Sequence, residues 1–448
     1  MRIQLSEHFT YKKLIRFVLP SIVMMIFTSI YGVVDGLFVS NYVGKTPFAA
    51  LNLIMPLLMV IGAIGFMIGT GGSAIVSRTL GEGNRARANE YFSLLVYVTV
   101  IAGVVLAAAG LVLLRPIARR LGAEGAMLDY AVLYGAILIP VLPLFMLQNV
   151  FQSFLITAEK PKLGLFMTVG AGATNIVLDY LFVAVLEWGL AGAAVATAVS
   201  QAVGGVGPLV YFLRENDSLL RLTRAKWNGG VLLKTCTNGS SELMTNVSAS
   251  LVNMLYNFQL MRLAGEDGVA AFGVIMYVNF IFAAIFIGYA IGSAPLIGYH
   301  YGAGNDGELQ NLYQKSLRFT GCTALVLTAL ALITAGPLAR IFVGYDAGLL
   351  SMTTRGFRLY ALSFLISGFS IFGSAFFTAL GDGAVSAAIS FFRTLVFQLA
   401  AVLILPLILG LDGVWLAISL AELLALFVTC AFLAAKKKKY PYGKAAKS

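Results

Sequence analysis

Twelve long apolar stretches separated by short polar segments constrain this chain more than any other feature of its sequence. About 20 consecutive apolar residues form a helix that crosses the hydrocarbon core of a bilayer, and each stretch is at least that long. The stretches run over residues 14–41, 47–77, 91–114, 129–156, 163–185, 190–213, 231–261, 268–298, 316–336, 355–379, 384–409 and 413–435. Because they are continuous rather than alternating, they exclude a transmembrane β-barrel. The fold class predicted is an all-α integral membrane protein.

The basic residues predict how these helices are oriented. Charged residues make up only 11% of the chain, yet the formal net charge is +11. Twelve spans place successive loops on alternate sides of the membrane. On the side that holds the N-terminus lie 22 of the 31 lysines and arginines, and eight lie on the other side. Lys and Arg concentrate in cytoplasmic loops, so both termini are predicted to be cytoplasmic in a multi-pass inner-membrane protein. The positive charge is thereby explained by topology, without a nucleic-acid partner.

An internal repeat at a fixed offset of 221 residues runs through the whole chain. The loop Gly81-Glu-Gly-Asn matches Gly302-Ala-Gly-Asn, and Gly189-Leu-Ala-Gly matches Gly410-Leu-Asp-Gly, with no gap. Six spans per copy is an even number, so both copies insert with the same orientation. Twelve helices then form two parallel six-helix lobes related by a pseudo-two-fold axis along the membrane normal. The substrate path is expected between the lobes, with alternating access produced by one lobe rocking against the other.

The repeat divides the chain into four predicted parts. Residues 1–213 form the N-terminal lobe, 214–230 a cytoplasmic linker, 231–435 the C-terminal lobe and 436–448 a basic cytoplasmic tail. The tail is expected to anchor the topology, with a lipid or partner contact as the alternative.

Ionisable residues at membrane depth are candidate functional groups. Asp35 and Asp179 lie at similar depth in the first and fifth spans, each with a polar residue one turn below it, Tyr31 and Asn175 respectively. Thr197 lies at a comparable depth in the sixth span. Two carboxylates in one apolar pocket need a shared proton or a bound cation to relieve their repulsion. The five residues therefore predict a site for a coupling ion, H⁺ or Na⁺, although a buried cluster that only ties helices together is the alternative reading.

The second lobe lacks this acidic pair, because Asp35 corresponds to Tyr256 and Asp179 to Ala400 at the 221-residue offset. It has its own intramembrane charges, Arg393 and Glu422, which are predicted to form a structural ion pair, with a role in ion or substrate handling as the alternative. Glu242, at the cytoplasmic start of the seventh span, is expected to face an aqueous vestibule, with contact to the substrate as the alternative.

With these motifs in view, the chain resembles the multidrug and toxic compound extrusion (MATE) family over nearly its whole length. The motifs that carry the resemblance are Pro20 followed by Asp35, Gly81-Glu-Gly-Asn, and Asn175-x-x-x-Asp179 with Gly189-Leu-Ala-Gly and Ala196-Thr197. The resemblance implies export of lipophilic organic cations in exchange for H⁺ or Na⁺. It assigns Asp35, Asp179, Asn175, Tyr31 and Thr197 to the cation site and Pro20 to a helix bend. One branch of the family carries acids in spans seven and ten. The corresponding positions of this chain are near Ala249 and Ser370, so the chain departs from that branch.

Several other functions are disfavoured. No nucleotide-binding loop is present for a primary pump, and no catalytic constellation indicates an enzyme. No cofactor and no metal beyond a possible Na⁺ are expected, and the partners expected are small organic molecules and the lipid bilayer, around a monomer. The serious alternative is a flippase for a lipid-linked oligosaccharide or a similar amphipathic lipid precursor. Its cleft would be strongly cationic, whereas the intramembrane charges here are mostly acidic.

Overall fold

The computed structural model describes residues 3–443, except for nine side chains: those of Val33, Asp35, Gly36, Leu37, Val39, Ser40, Asn41, Lys45 and Gly443. Within that part the chain is helical, with two short π-helical turns and two short 3₁₀ turns. The first lobe contains α1 Tyr11–Tyr42, α2 Lys45–Gly81, α3 Arg85–Arg120, α4 Gly125–Leu138, α5 Leu142–Thr157, α6 Pro161–Asp179 and α7 Gly189–Leu213. The second contains α8 Gly229–Gly302, α9 Asp306–Val343, α10 Ala347–Ala361, α11 Phe364–Ala379, α12 Gly383–Phe391, α13 Phe397–Leu409 and α14 Leu411–Lys436.

Helix α8 is two membrane spans joined at a sharp turn. Its 74 residues would measure about 110 Å if straight at 1.5 Å per residue, far more than a bilayer is thick. Gly265 interrupts it with φ 64° and ψ −150°. The rings of Tyr256 and Phe272, on either side of this turn, stack at 5.0 Å, which a straight helix would forbid. The chain therefore reverses direction at Gly265.

Ten helical stretches in the described residues are long and apolar enough to cross a membrane, and α10 with α11 forms an eleventh span bent by 47°. Counting α8 twice gives twelve spans, at the positions that the apolar stretches predict. The linker predicted between the lobes lies between the end of α7 at Leu213 and the start of α8 at Gly229. The lobe boundaries themselves stay predictions.

The backbone repeats at the same 221-residue offset as the sequence. Gly44 and Gly265 have φ 97° and 64°, and Gly189 and Gly410 have φ 57° and 59°. Left-handed φ values favour glycine because a Cβ is strained there. Each of these turns therefore favours glycine, and the repeat has glycine at both members of each pair. Asn84 and Asn305 likewise cap α3 and α9 with the same side-chain hydrogen bond. The two lobes thus have matching turns and caps.

The lobes meet across a seam with two-fold character. A Cβ on Gly71 of α2 would overlap the Thr235 carbonyl oxygen of α8, and one on Gly239 would overlap the Met67 carbonyl oxygen of α2. At the matching position, Gly292 packs against Val18 of α1, and Val18 corresponds to Gly239 in the repeat. Each lobe thus offers the same two positions to the other, as expected for an interface around a two-fold axis.

The hydrophobic cores show which end of the molecule is closed. One core includes residues of both lobes, among them Phe9, Leu80, Leu296 and Phe376, and lies at the face that carries the first and the last described residues, here called the terminal face. At the opposite, distal face each lobe has a separate core, one around Leu128 and Val183 and the other around Val343 and Trp415. The lobes are joined at the terminal face and have independent cores at the distal face.

The segment before α1 bridges the two lobes at the terminal face. The backbone N–H of Phe9 donates to Glu308 Oε1 of α9 at 2.8 Å, and Lys315 Nζ donates to the Phe9 carbonyl oxygen at 2.5 Å. The backbone N–H of Leu5 donates to Glu159 Oε1 of the first lobe at 2.7 Å. Because these bonds reach side chains of both lobes, the segment keeps all of them only while the terminal face is closed.

Glu308→Ala is expected to release this segment. Losing a charged hydrogen-bond acceptor costs about 1.5–3 kcal/mol. The reporter is a thiol at the buried position 5, introduced as Leu5→Cys. It should react with a maleimide at least about tenfold faster in the Glu308→Ala background than in the background with Glu308 intact. Asp306→Ala is the matched control, because Asp306 is exposed in the same first turn of α9. Equal labelling rates in both backgrounds would show that Glu308 does not hold the segment.

The start of the basic tail packs on the loop between α11 and α12. Tyr440 Oη donates to Asp382 Oδ2 at 2.9 Å, and Lys436 and Lys439 lie 3.3 and 3.4 Å from the same oxygen. Burial alone would raise the pKa of Asp382, but the Tyr440 hydrogen bond and the two lysines together hold it below its usual value. The carboxylate therefore fixes the tail at the terminal face.

Candidate functional site

The first lobe has a polar cluster on the buried face of α6. The buried residues of that helix recur every three or four positions and end with Asn175 and Asp179, which are 2% and 0% exposed. Such spacing places them on one helix face. Thr197 lies opposite on α7, with its Oγ1 3.5 Å from Asn175 Nδ2, and Ser200 of α7 donates to the Ala171 carbonyl oxygen at 2.8 Å. This face of α6 is therefore held against α7.

Helix α1 packs on the same face of α6. Gly172, one turn before Asn175, lies beside the rings of Phe27 and Tyr31. A Cβ at this position would come 2.5 Å from the Phe27 ring and 3.1 Å from the Tyr31 ring. The structure thus brings Tyr31, Asn175, Asp179 and Thr197 into one region of the first lobe. The side chain of Asp35 lies outside the described residues. The assignment of these groups to a cation site stays a prediction.

A π-helical turn, Tyr180–Val185, follows directly after Asp179. A second one, Phe392–Val396, contains Arg393 of the other lobe. Such turns add a residue to one turn of the helix and are frequent at functional sites. In each lobe, therefore, one helix departs from regular α-helical hydrogen bonding beside an ionisable residue at membrane depth. The sequence did not predict these turns, because one extra residue shifts the hydrophobic periodicity only locally.

Pro20 lies inside α1, which is helical from Tyr11 to Tyr42. Its ring removes one backbone hydrogen bond from the helix, and Ser21 Oγ beside it is buried without a hydrogen-bond partner in the described part of the chain. Ser21 also packs against Gly288 and Gly292 of the second lobe. The role of Pro20 as a bend stays a prediction.

A cavity of about 310 Å³ lies between the lobes next to the seam. This volume is within the range of small-molecule binding sites. Helices α2 and α5 of the first lobe and most helices of the second contribute to its wall, which carries many hydroxyl groups: Thr70, Ser73, Ser153, Ser367, Ser374 and Ser390. These were missed in the sequence, because single Ser and Thr residues in a membrane helix commonly bond to their own backbone, as Thr70 does to Phe66.

The charged groups of the cavity wall come from the second lobe: Glu242, Arg393 and Glu422. Arg393 Nε lies 3.0 and 2.9 Å from the two oxygens of Glu422, and Nη2 lies 2.8 Å from Oε1. Glu422 is 2% exposed and Arg393 18%. Ala249, near one position of the acids found in another branch, also lines the cavity, while Ser370 is buried outside it.

Removing one member of this ion pair is expected to destabilise the second lobe more than removing both. Glu422→Leu leaves an uncompensated guanidinium at membrane depth, at a cost of about 2–3 kcal/mol after allowance for the exposure of Arg393 to the cavity. The double variant Arg393→Met/Glu422→Leu should recover most of that loss in thermal unfolding of the purified protein. A double variant as unstable as Glu422→Leu would contradict the expectation.

Comparisons with known proteins agree with this architecture. The sequence profile of the MatE family matches residues 20–181 and 243–404, one match in each lobe. The multidrug export protein MepA of Staphylococcus haemolyticus is 24% identical over 430 residues, which cover 96% of this chain and 93% of that protein. MepA of Staphylococcus aureus strain MRSA252 is 21% identical over 413 residues, covering 92% and 91% of the two chains.

Solved structures match the whole fold. A structure titled as the outward-facing conformation of a multidrug resistance MATE family transporter has a TM-score of 0.90 at 25% identity, over 96% of this chain and 98% of that chain. A crystal structure of a MATE protein in complex with MaL6 also has a TM-score of 0.90, at 24% identity and the same coverage. The fold prediction of two six-helix lobes is therefore confirmed. Since the family profile matches both lobes, this chain belongs to the MatE family, the multidrug and toxic compound extrusion proteins that its motifs resemble.

Proposed function

We propose that this protein is a secondary active antiporter that exports lipophilic organic cations from the cytoplasm in exchange for H⁺ or Na⁺. The family and the relatives named as multidrug export proteins support export of foreign compounds. The excess of Lys and Arg on the terminal face supports cytoplasmic termini in an inner membrane. The closed terminal face then corresponds to a state that faces outward.

The observation that carries the proposal is Asp179. Its carboxyl group is completely buried in a span of the first lobe, in the region that also holds Asn175, Thr197 and Tyr31, and the helix changes to a π turn immediately after it. A carboxylate in such surroundings favours uptake of a proton or a cation. Binding there would alter α6 where its hydrogen bonding is already irregular. With Asp35, this region forms the proposed coupling site.

The interface between the lobes supports alternating access. The lobes touch closely through glycines at the terminal face and keep independent cores at the distal face. Lobes that share a core only at the terminal face favour rigid-body rocking over deformation of their separate distal cores. The site in the first lobe lies on α1 and α6, and α1 also contacts α8 of the second lobe. Helix α1 is therefore positioned to relay ion binding to the seam.

The cavity charges favour a cationic substrate over an anionic lipid precursor. In the described part of the cavity wall the guanidinium of Arg393 is paired with Glu422, and a further carboxylate, Glu242, remains. The formal charge of the three groups is negative. A flippase for lipid-linked oligosaccharides would need positive charge facing its pyrophosphate.

The test is uphill transport by the purified protein in liposomes that carry either a pH gradient or a Na⁺ gradient. One of the two gradients is expected to drive tetraphenylphosphonium against its own concentration gradient, and collapsing that gradient should stop it. Movement that ignores both gradients would overturn the proposal. Accumulation of lipid-linked precursors, with normal dye efflux, in a strain that lacks the gene would instead indicate the flippase.

A further inference from the structure

A groove on the outer surface of the second lobe is separate from the central cavity. It has a volume of about 710 Å³ and lies between α9 and α11, with Tyr11 of α1 at its edge. Along α9 its wall extends from Arg318 to Leu325, which is about 10 Å at 1.5 Å per residue. Because Arg318 is nearer the start of α9, the charged end of the groove is the end towards the terminal face.

The rest of the groove is apolar and open to the membrane. Its wall is formed by Phe319, Gly321, Cys322, Leu325, Leu365 and Phe369. Leu325 and Leu365 are 63% and 39% exposed, although both belong to membrane spans. Gly321 leaves room in the groove, because it has no side chain opposite the ring of Phe369. In a bilayer, close van der Waals packing drives association between apolar surfaces, so this part of the groove fits an acyl chain.

Two basic side chains meet at the end of the groove near the terminal face. Arg318 is exposed, and its Nη1 donates to Tyr11 Oη at 3.3 Å. Lys315 Nζ lies 5.3 Å from the centre of the Tyr11 ring and donates to the Phe9 carbonyl oxygen. Within the described residues, no carboxylate lies within ion-pair distance of either cation. Both positive charges are therefore available to an anion.

The first lobe has a different arrangement at the matching place. At the 221-residue offset Arg318 corresponds to Tyr97, and Lys315 corresponds to Leu94. Tyr97 Oη donates to the carbonyl oxygen of Thr223, in the linker, at 3.1 Å. The linker therefore packs on this surface of α3, whereas the matching surface of α9 carries the two cations beside the groove.

We propose that an anionic phospholipid of the leaflet at the terminal face binds in this groove. Its phosphate contacts Arg318 and Lys315, and one acyl chain packs against Leu325 and Phe369. Anionic headgroups bind in basic pockets between transmembrane helices, and guanidinium groups form strong hydrogen bonds with phosphate oxygens.

The bound headgroup would touch both lobes. Tyr11 belongs to α1 of the first lobe, and its hydroxyl group lies against Arg318 of the second. Lys315 holds the carbonyl group of Phe9, in the segment that bridges the lobes. The lipid therefore stabilises the closed terminal face. This inference is independent of the coupling ion and of the exported compound.

The native thiol of Cys322 reports on occupancy, because this exposed residue lines the groove. The protein carries Cys236→Ser and Cys430→Ser and is kept in detergent micelles. Phosphatidylglycerol is expected to slow the reaction of Cys322 with N-ethylmaleimide in a saturable way. Phosphatidylcholine, which is zwitterionic, should require at least about fivefold more lipid for half of the same protection, since one basic group near an anionic headgroup contributes about that factor.

Three substitutions of arginine test the headgroup contact. Arg318→Gln should raise the half-protecting concentration of phosphatidylglycerol at least about fivefold. Arg318→Lys keeps the charge and should retain most of the affinity. Arg340→Gln is the matched control, because Arg340 is an exposed arginine in the last turn of the same helix. It should protect like the protein with Arg340 intact.

A second readout tests the effect on the closed terminal face. The thiol introduced as Leu5→Cys, with all three native cysteines replaced by serine, should react more slowly with the maleimide when phosphatidylglycerol is added. The same lipid should have no effect on this rate in the Arg318→Gln background.

Three results would overturn the inference. Equal protection of Cys322 by the two lipids, or an Arg318→Gln variant that responds like the parent protein, would show that the groove does not recognise an anionic headgroup. An unchanged Leu5→Cys rate, at lipid concentrations that protect Cys322, would show that the lipid does not stabilise the closed face. None of these measurements involves transport, so the proposed function would stand in each case.

Discussion

Asp179→Asn is expected to abolish accumulation of the organic cation against its gradient while leaving downhill exchange in place. The amide has nearly the shape of the buried carboxyl group but binds neither a proton nor a cation electrostatically. Coupling between two sites is worth about 1–3 kcal/mol, which is about 5–150-fold, so the steady-state accumulation ratio should fall by a factor in this range, to the level set by downhill exchange alone. The measurement is accumulation under the driving gradient and counterflow without it, in the same liposomes.

The control for this variant is Asp129→Asn. Asp129 belongs to the same lobe but its side chain is 75% exposed at the distal end of the molecule, so both activities should remain. Asp35→Asn is expected to match Asp179→Asn, because the two acids are proposed to form one site. Gradient-driven accumulation at the wild-type level by either variant would contradict the assignment of the coupling site.

Gly239→Leu is expected to prevent closure of the terminal face. Any Cβ at this position overlaps the backbone of α2 at Met67, and a backbone atom cannot move aside as a flexible side chain can. Overpacking costs about 1–3 kcal/mol where side chains can adjust. An overlap with backbone should cost at least the upper end of this range, about 3 kcal/mol, so the closed state should lose about a hundredfold or more in population. Transport should fall in proportion, because the cycle requires this state.

Gly273→Leu is the matched control, since nothing lies within 4 Å of a Cβ at Gly273 on the same helix α8. It should transport at close to the wild-type rate. The readout for Gly239→Leu is the labelling rate of a thiol introduced at the buried position 5, which should rise because the segment before α1 needs a closed terminal face. Slow labelling with normal transport would show that the lobes separate along another surface.

The helical spans were predictable because the bilayer imposes a minimum length on each one. The turn at Gly265, inside a helix of 74 residues, was predictable from the break in the apolar stretches and from the repeat, which relates it to Gly44. The clustering of Asn175, Thr197 and Tyr31 followed from equal depth in three neighbouring spans. The minimum length of a span, the internal repeat and the depth in the membrane were therefore enough to predict these three features.

Other features depend on contacts that leave no pattern in one sequence. The π turns after Asp179 and at Arg393 change the helix by a single residue. The bridge from Phe9 to Glu308 joins segments 299 residues apart. The hydroxyl groups of the cavity wall look like ordinary membrane-helix residues until the lobes are packed. Tertiary structure, rather than local preference, determines all three.

The central claim, that the two lobes rock about the seam, is tested most directly by distances between spin labels during transport. Cysteines replace Ala86 and Gly307 at the terminal face in one protein, and Glu124 and Tyr345 at the distal face in another. Each pair of exposed positions is related by the repeat. The exposed native cysteines Cys236, Cys322 and Cys430 are first replaced by serine.

Under the driving gradient with substrate, a population is expected in which the two labels of the terminal pair move apart while those of the distal pair move closer together. Distances that stay fixed, or that change with the same sign at both faces, would contradict the rocking mechanism.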